Sequence, residues 1–355
     1  MTTSGGRREL AEVRSGLLAW CAEHRPDVVA AGIDELVHPK AGLSNETIIV
    51  RCHPNADGSP GPRLVVRLPP LSSSFPDHDF GLQARIQTAA AMAGIPTAGP
   101  IVLEEDDRWL GVPFIVMPFV DGQIPGPASL FDPWLTEATE AQRRDAQREM
   151  VRVLASIHAV DWAAVGLDEL LGNGKGRVQD QLDTWAAYLA WAADGEPLPR
   201  IEAILAWCRA HAPADVAPPS LVWGDPRLEN LVFDDERHPI AVLDWELATI
   251  GPAEMDLGWF LGLERVLWAL VQQGPLPGFA PPEEVARDLE EALGRPLQDP
   301  AWHEIFGVLR SICINVRQAK ISAAAGVSYP LPPGEANPMV AIVEGWIAAH
   351  PASAR

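Results

Sequence analysis

The sequence has few cysteines, no long apolar run and no excess of basic residues. Its four cysteines, Cys21, Cys52, Cys208 and Cys313, show neither CxxC nor metal-ligand spacing. Cysteines scattered in this way predict reduced thiols, and they argue against disulfides or a zinc site built on them. Neither a signal peptide nor an apolar stretch long enough to cross a bilayer is visible. These absences predict a soluble, cytoplasmic protein with no membrane partner.

Basic residues are outnumbered: the chain has 27 Lys and Arg against 48 Asp and Glu, and its formal net charge is −21. A polyphosphate backbone attracts a basic surface, so this charge argues against nucleic acid as a partner. The acidity would suit a cationic ligand, but it serves solubility equally well. The sequence leaves the oligomeric state open.

The chain has enough apolar residues for a substantial core, since 47% of its 355 residues are hydrophobic. Its length favours two lobes. A helix near residues 9–22 precedes strands that include residues 63–69, and after residue 122 the pattern is mainly helical. We place the lobe boundary so that the N-terminal lobe is 1–117 and the C-terminal lobe is 118–355. The expected fold class is α+β.

One segment brings polar residues together. Apolar residues 231–233 and 240–243 flank a short polar stretch, which predicts two antiparallel strands joined by a turn. Asn230 before the first strand and Asp244 after the second then lie at the same open end, beside the loop with Asp225. Such oxygen ligands suit Mg²⁺ on a nucleotide phosphate, and the remaining carboxylate can take a proton from an attacking hydroxyl. The spacing predicts a phosphoryl-transfer site.

The same residues resemble a known family. Trp223-Gly-Asp225, Asn230 five residues later and Asp244 in a Leu-Asp-Trp-Glu context resemble the catalytic and metal loops of the aminoglycoside phosphotransferase (APH) and choline kinase-like family. Within it they are most similar to kinase domains associated with acyl-CoA dehydrogenases, and protein kinases share the underlying pattern. The resemblance implies a two-lobed, protein-kinase-like fold, with an antiparallel sheet in its small N-terminal lobe and a larger, mainly helical C-terminal lobe.

The resemblance also implies an activity: transfer of the γ-phosphoryl group of ATP to a hydroxyl of a small molecule. It makes Asp225 the catalytic base, and Asn230 and Asp244 the ligands of Mg²⁺. Arg227 matches the position where protein kinases place a phosphate-neutralising lysine, although a guanidinium presents its donors differently. Trp223 stands where the family usually has histidine; its indole can donate a hydrogen bond but cannot titrate.

Phosphate-binding residues of the N-terminal lobe follow from the resemblance as well. Ser44 and Asn45 lie in a turn whose small residues let the backbone approach the phosphates. Arg67 would hold the α- and β-phosphates, the alternative being an arginine that snorkels to water. Its usual glutamate partner on the next helix is replaced by Gln83, which implies a hydrogen bond in place of an ion pair.

The adenine site is expected in the connector between the lobes. In the family, a bulky residue backs the ring and backbone atoms bind its edge. Met117 would back the pocket, the Pro118 carbonyl would accept from the adenine amino group, and the Val120 N–H would donate to a ring nitrogen. Proline is tolerated there because only its acceptor is used.

Three functions stay open on the sequence. The first is a small-molecule kinase with an apolar or hydroxyacyl acceptor, the second an aminoglycoside antibiotic kinase, and the third a nucleotide-binding, pseudokinase-type regulator without turnover. Aromatic residues of the C-terminal helices would form either core or an apolar acceptor site: Trp259, Phe260, Trp268, Trp302 and Phe306.

Overall fold

The computed structural model describes residues 3–4, 7–39, 45–76, 79–126, 128–168 and 176–350. The chain divides into two compact units. The first unit comprises Met1–Thr88 and Ala98–Val120, and the second comprises Ala89–Thr97 and Asp121–Arg355. The division expected from the sequence, after residue 117, stays a prediction.

The first unit contains an antiparallel sheet and its helices. In chain order its elements are β1 (Thr3–Ser4), β2 (Arg7–Arg8), α1 (Leu10–His24), α2 (Pro26–Ala31), β3 (Ile33–Val37), β4 (Glu46–Cys52), β5 (Arg63–Leu68), α3 (Phe80–Met92, whose last residues belong to the second unit), β6 (Val102–Glu104) and β7 (Phe114–Pro118). Five strands form one sheet in the order β3-β4-β5-β7-β6, and every neighbouring pair is antiparallel.

Alternation along β5 sets the faces of this sheet. Leu64, Val66 and Leu68 are buried, whereas Val65 and Arg67 on the other face are only half-buried. This two-residue period is what an antiparallel strand with one core face requires, and it confirms the strand predicted within residues 63–69. The buried residues join the core formed with α1.

The second unit is mainly helical. Its elements are α4 (Pro133–Thr136), α5 (Glu140–His158), α6 (Val178–Ala193), α7 (Pro199–Ala210), β8 (Ser220–Val222), a 3₁₀ turn (Leu228–Asn230), β9 (Leu231–Phe233), β10 (Pro239–Val242), β11 (Thr249–Gly251), α8 (Glu254–Val271), α9 (Pro282–Leu293), α10 (Pro300–Ala324), a 3₁₀ turn (Gly334–Ala336) and α11 (Pro338–Ala349). β9 pairs with β10 and β8 with β11, both antiparallel. The α+β class predicted from the sequence is confirmed. In the described ranges, no helix combines the length and apolarity that a bilayer span needs.

Helices α8 and α10 approach closely because glycines line their contact. A Cβ built at Gly258 would lie 2.3 Å from the His303 carbonyl oxygen, and one at Gly307 would lie 2.8 Å from the Trp259 nitrogen. Neither position has room for a larger residue without movement of the facing backbone. The close approach places side chains of α10 next to those of α8.

His303 lies in this contact, and its burial predicts that the stability of the protein depends on pH. Its ring is 1% exposed, and burial lowers its pKa to about 4, below the roughly 6.5 of an unfolded chain. The unfolded state therefore binds the extra proton first. The contribution of the neutral His303 ring to the free energy of unfolding is fully present above about pH 6.5. It is lost as the pH falls towards 4, at up to about 1.4 kcal/mol per pH unit.

We expect His303→Gln to flatten this dependence of the unfolding free energy, measured by urea titration at several pH values. The control is His53→Gln, because the His53 side chain is 58% exposed. If the unfolding free energy of His303→Gln depends on pH as steeply as that of the parent between pH 4 and 6.5, the prediction is wrong.

Candidate active site

The loop after β8 is held by one buried carboxylate. Gly224 has φ +94°, and a Cβ there would lie 2.2 Å from the Leu247 carbonyl oxygen, so only glycine fits. Asp256, fully buried on α8, accepts from the backbone nitrogens of Trp223 at 2.9 Å and Gly224 at 2.8 Å. His158 Nε2 lies 2.9 Å from the same carboxylate. These contacts hold the loop backbone in place.

Asp225 lies in this loop, and three side chains donate to its carboxylate. Trp259 Nε1 donates to Oδ1 at 2.7 Å, while Asn230 Nδ2 and Arg227 Nη2 donate to Oδ2 at 2.9 and 3.0 Å. Asn230 Nδ2 also lies 2.9 Å from the Asp225 carbonyl oxygen. With Asp225 itself 7% exposed, these charge-assisted bonds set the direction of both carboxylate oxygens.

The hairpin predicted from the sequence forms and brings Asn230 and Asp244 to one end. Leu231 pairs with Val242 in the antiparallel ladder, and the Leu243 nitrogen donates to the Asn230 carbonyl at 2.9 Å. Because the amide nitrogen of Asn230 is used by Asp225, its amide oxygen is the atom that a cation would bind. Asp244, next after Leu243, has φ +57°, a region that aspartate tolerates better than most residues.

An amide oxygen and one carboxylate fit Mg²⁺ rather than a metal held by protein ligands alone. Mg²⁺ commonly takes one or two carboxylates and completes its shell with substrate phosphates and water. Within the described part of the chain, no three His, Cys, Asp or Glu side chains are grouped so that they could hold a metal ion. Asn230 and Asp244 therefore suit a cation that arrives with a phosphate.

Arg227 connects Asp225 to a second carboxylate. Besides its bond to Asp225, its Nη1 lies 2.8 Å from Glu229 Oε1. Burial lowers the pKa of Arg227, but Asp225 and Glu229 outweigh it, and the net shift is upward. The guanidinium is a permanent positive charge beside Asp225, available to a phosphate if it exchanges one of these carboxylates.

The nucleotide residues expected in the first unit lie on or next to its sheet. Arg67 on β5 stands opposite Thr47 of β4 and Ile115 of β7. Asn45 is buried directly before β4, and Ser44 lies outside the described residues. Gln83 on α3 is buried, and its Oε1 has no hydrogen-bond partner in the ranges that the structure covers.

The expected adenine residues lie at the end of β7. Met117 is buried and Pro118 is half-buried, and they stand opposite Val65 and Leu64 of β5. Val120 follows, half-buried, at the last residue of the first unit. Their roles towards a nucleotide stay a prediction.

The family follows from a comparison with known sequences. The profile of the phosphotransferase enzyme family, APH, matches residues 35–306, which is most of the chain. The chain belongs to the APH family. This confirms the resemblance inferred from the loops around Asp225 and Asp244, and it supports a phosphotransferase that acts on a small molecule.

Relatives of the APH chain include much longer proteins. Acyl-CoA dehydrogenase family member 10 of Mus musculus is 33% identical over 232 residues, which cover 65% of this chain and 20% of that protein. A probable acyl-CoA dehydrogenase of Arabidopsis thaliana is 27% identical over 334 residues, 86% of this chain and 39% of that protein. The chain thus spans well under half the length of these relatives.

Solved structures share its fold. A candidate aminoglycoside phosphotransferase from Ralstonia eutropha JMP134 has TM-score 0.68 and 25% identity, over 94% of this chain and 98% of that one. A choline/ethanolamine kinase family protein from Mesorhizobium loti has TM-score 0.56 and 15% identity, over 96% and 97%. The kinase-like fold predicted from the sequence is confirmed.

Trp223, the departure from the common APH histidine, connects the loop that carries Asp225 to the segment before Asp244. It is fully buried, and its Nε1 donates to the Leu243 carbonyl at 2.8 Å, one residue before Asp244. The indole thus supplies the kind of donor that the sequence predicted.

We expect Trp223→His to lose stability and keep phosphotransferase activity. Imidazole can still donate to Leu243, but the smaller ring leaves a cavity, at a cost of about 2–4 kcal/mol. Thermal melting and ATP turnover measured on the same preparation test this expectation. Loss of all turnover in a variant that melts like the parent would show that the indole acts in the chemistry.

Trp259 is a site residue that the sequence reasoning missed. The sequence predicts it in the core or in an apolar acceptor site. It is buried, and its indole nitrogen also donates to the Asp225 carboxylate. A signal was available, because Trp259 follows Asp256 by three residues on α8. Residues at this spacing share a helix face, so a side chain next to the bracing Asp256 also faces the loop.

Proposed function

We propose that this APH chain is an ATP-dependent phosphotransferase that moves the γ-phosphoryl group to a hydroxyl of a small molecule. The observation that carries the proposal is the Asp225 carboxylate, held by Trp259, Asn230 and Arg227 beside the hairpin end that carries Asp244. A general base must lie within hydrogen-bond reach of the proton that it takes, and these donors fix the direction of the Asp225 carboxylate.

In the proposed reaction the acceptor oxygen forms a bond to the γ-phosphorus, and the bond from that phosphorus to the bridging oxygen of ADP breaks. Asp225 takes the hydroxyl proton. Arg227 exchanges a carboxylate for the γ-phosphate and neutralises part of its charge. Asn230 and Asp244 would hold Mg²⁺, which when bound neutralises charge on the phosphates. Positioning and charge neutralisation supply most of the rate in such transfers.

Nucleotide binding is proposed for the residues that the APH resemblance assigns. Ser44, Asn45 and Arg67 would bind the phosphates. Met117, the Pro118 carbonyl and the Val120 N–H would bind the adenine. We further propose a cytoplasmic location, which the free and buried state of Cys21, Cys52, Cys208 and Cys313 supports.

The acceptor we propose first is a hydroxyacyl compound. Support comes from the acyl-CoA dehydrogenases of Mus musculus and Arabidopsis thaliana, of which this chain resembles one part. A kinase segment joined to such an enzyme suggests a substrate shared between the two.

An aminoglycoside acceptor is the second candidate, and two acidic side chains favour it. Burial raises the pKa of Glu229, and it raises the pKa of Glu264 to about 7, to which the Glu229 carboxylate adds. Ser129 Oγ donates to Glu264 at 2.8 Å. An ammonium group would relieve this repulsion, so Glu229 and Glu264 would favour a cationic acceptor.

Substrate-dependent ADP release tests the proposal. The protein with ATP and Mg²⁺ is offered hydroxyacyl-CoA esters, free hydroxy acids and aminoglycosides, and products are identified by a mass increase of one phosphoryl group. We expect phosphorylation of one hydroxyacyl class, at a rate roughly 100-fold or more lower with Asp225→Asn. A product formed only from aminoglycosides establishes the second candidate. ATP binding without any product supports the pseudokinase-type regulator instead.

A further inference from the structure

Trp259 holds Asp225 from outside the catalytic loop. The other two donors to the carboxylate, Arg227 and Asn230, belong to the loop that carries it, whereas Trp259 is anchored on α8 and is 4% exposed. The bond to Oδ1, at 2.7 Å, ties the base to the helix framework. The precision with which the Asp225 carboxylate is oriented therefore depends on what fixes the indole ring.

Arg310 on α10 stacks on that ring. Its guanidinium carbon lies 4.8 Å from the Trp259 ring centroid and 5.0 Å from that of Trp185, so the group lies against both indoles. Arg310 Nη2 also donates to the Gly224 carbonyl at 3.0 Å, directly before Asp225. One side chain thus contacts both the residue that holds the base and the backbone that carries it.

Arg310 is a buried charge whose hydrogen-bonding capacity is only partly used. The residue is 1% exposed, and its Nε and Nη1 lack hydrogen-bond partners among the residues that the structure describes. A buried guanidinium with unused donors is expensive, and an apolar side chain of similar length would fill the space without that cost. Burial lowers the pKa of Arg310 to about 10, while Asp256 and Asp225 oppose the shift. It remains charged at neutral pH.

We propose that Trp259 and Arg310 form a positioning pair for Asp225, in which Trp259 aims the carboxylate and Arg310 fixes the indole, the loop carbonyl and the local charge. The inference rests on the proposed function. Small misplacements of a reacting group cost large factors in rate, because the reacting atoms must already be aligned. The pair thus acts on turnover, and not on nucleotide binding.

Three variants and one control test the pair. Trp259→Phe removes the indole donor, Arg310→Met removes the charge at similar length, and Arg310→Lys keeps the charge without the planar stack. Trp302→Phe is the control. Trp302 has no exposed surface and packs on Phe306 with 5.2 Å between ring centroids, so it belongs to the core and not to an acceptor site. Its Nε1 donates to the Cys208 carbonyl at 3.2 Å, away from Asp225. The control variant removes a comparable buried hydrogen bond.

The measurements are thermal melting, the Kd of ATP with Mg²⁺, and acceptor-independent ATP hydrolysis, or phosphoryl transfer once an acceptor is known. We expect Trp259→Phe and Arg310→Met to lower kcat roughly 10- to 100-fold with Kd unchanged within about 3-fold. The kcat of Arg310→Lys should lie between that of Arg310→Met and that of the parent. The double variant of Trp259→Phe and Arg310→Met should lose a smaller factor in kcat than the product of the two single factors, because the two side chains act as one unit. Trp302→Phe should lose stability but not kcat.

The outcomes separate the two proposals. Parental kcat in well-folded Trp259→Phe and Arg310→Met, alongside a loss in Asp225→Asn, overturns the positioning pair and leaves the proposed function in place. A parent without Asp225-dependent turnover overturns both. If kcat in Trp302→Phe falls as far as in Trp259→Phe, the effect is general destabilisation and the pair is refuted. Should Arg310→Met not fold, Trp259→Phe and Arg310→Lys carry the same test.

Discussion

Asp225→Asn is expected to lower phosphoryl transfer by roughly 100-fold or more while the affinity for ATP stays within a few-fold. The amide keeps the shape of the carboxylate but cannot take the proton of the attacking hydroxyl. Its oxygen can face Asn230 and Arg227, the two donors at Oδ2. Its NH₂ group then faces Trp259 Nε1, which donates to Oδ1 in the parent. This mismatch leaves a buried donor unpaired and costs about 1–3 kcal/mol of stability.

The measurements are ATP titration calorimetry, ATP hydrolysis or phosphoryl transfer, and thermal melting. Asp235→Asn is the matched control, since Asp235 is exposed in the turn between β9 and β10, and this variant should behave like the parent throughout. Equal rates of parent and Asp225→Asn, with or without an acceptor, mean that Asp225 is not the base. The pseudokinase-type regulator would then be favoured.

Asp244→Ala is expected to abolish Mg²⁺-dependent binding of ATP, whereas Arg67→Ala only weakens it. Asp244 would supply a charged oxygen directly to the cation, while Arg67 would share the phosphate charge with the loop backbone and the cation. The φ of +57° at Asp244 adds a complication. Alanine is strained there by about 1–2 kcal/mol, so Asp244→Asn, which tolerates this backbone and removes only the charge, is measured as well.

Calorimetric titration with ATP, in Mg²⁺ and again in EDTA, separates the two contributions. We expect Asp244→Ala and Asp244→Asn in Mg²⁺ to resemble the parent in EDTA, and Asp235→Ala to resemble the parent in Mg²⁺. Affinities of Asp244→Ala and the parent that are equal in Mg²⁺ would refute the assignment of Asp244 to the metal.

The residues of the candidate site were recognisable in the sequence because they lie close together in the chain. Asp225, Asn230 and Asp244 lie within 20 residues of one another, and a strand, a turn and a strand between the last two bring them to one end. Hydrophobic periodicity is also local. A period of two in β5 and of 3.6 in the long helices indicates which residues face the core. The short strands β8 and β11 were not predicted, because three residues carry too little pattern to separate a strand from a loop.

What the sequence by itself determined is the set of groups that the candidate chemistry needs, and only the tertiary structure decided what surrounds them. Trp259 reaches Asp225 across 34 residues, and Arg310 reaches Gly224 across 86. No periodicity relates positions so far apart. The spacing of Trp259 three residues after Asp256 indicates a shared helix face, but not whether the tryptophan packs in the core or donates to a carboxylate. The difference arises when α8 and α10 meet at their glycines, since that contact brings both side chains to the loop.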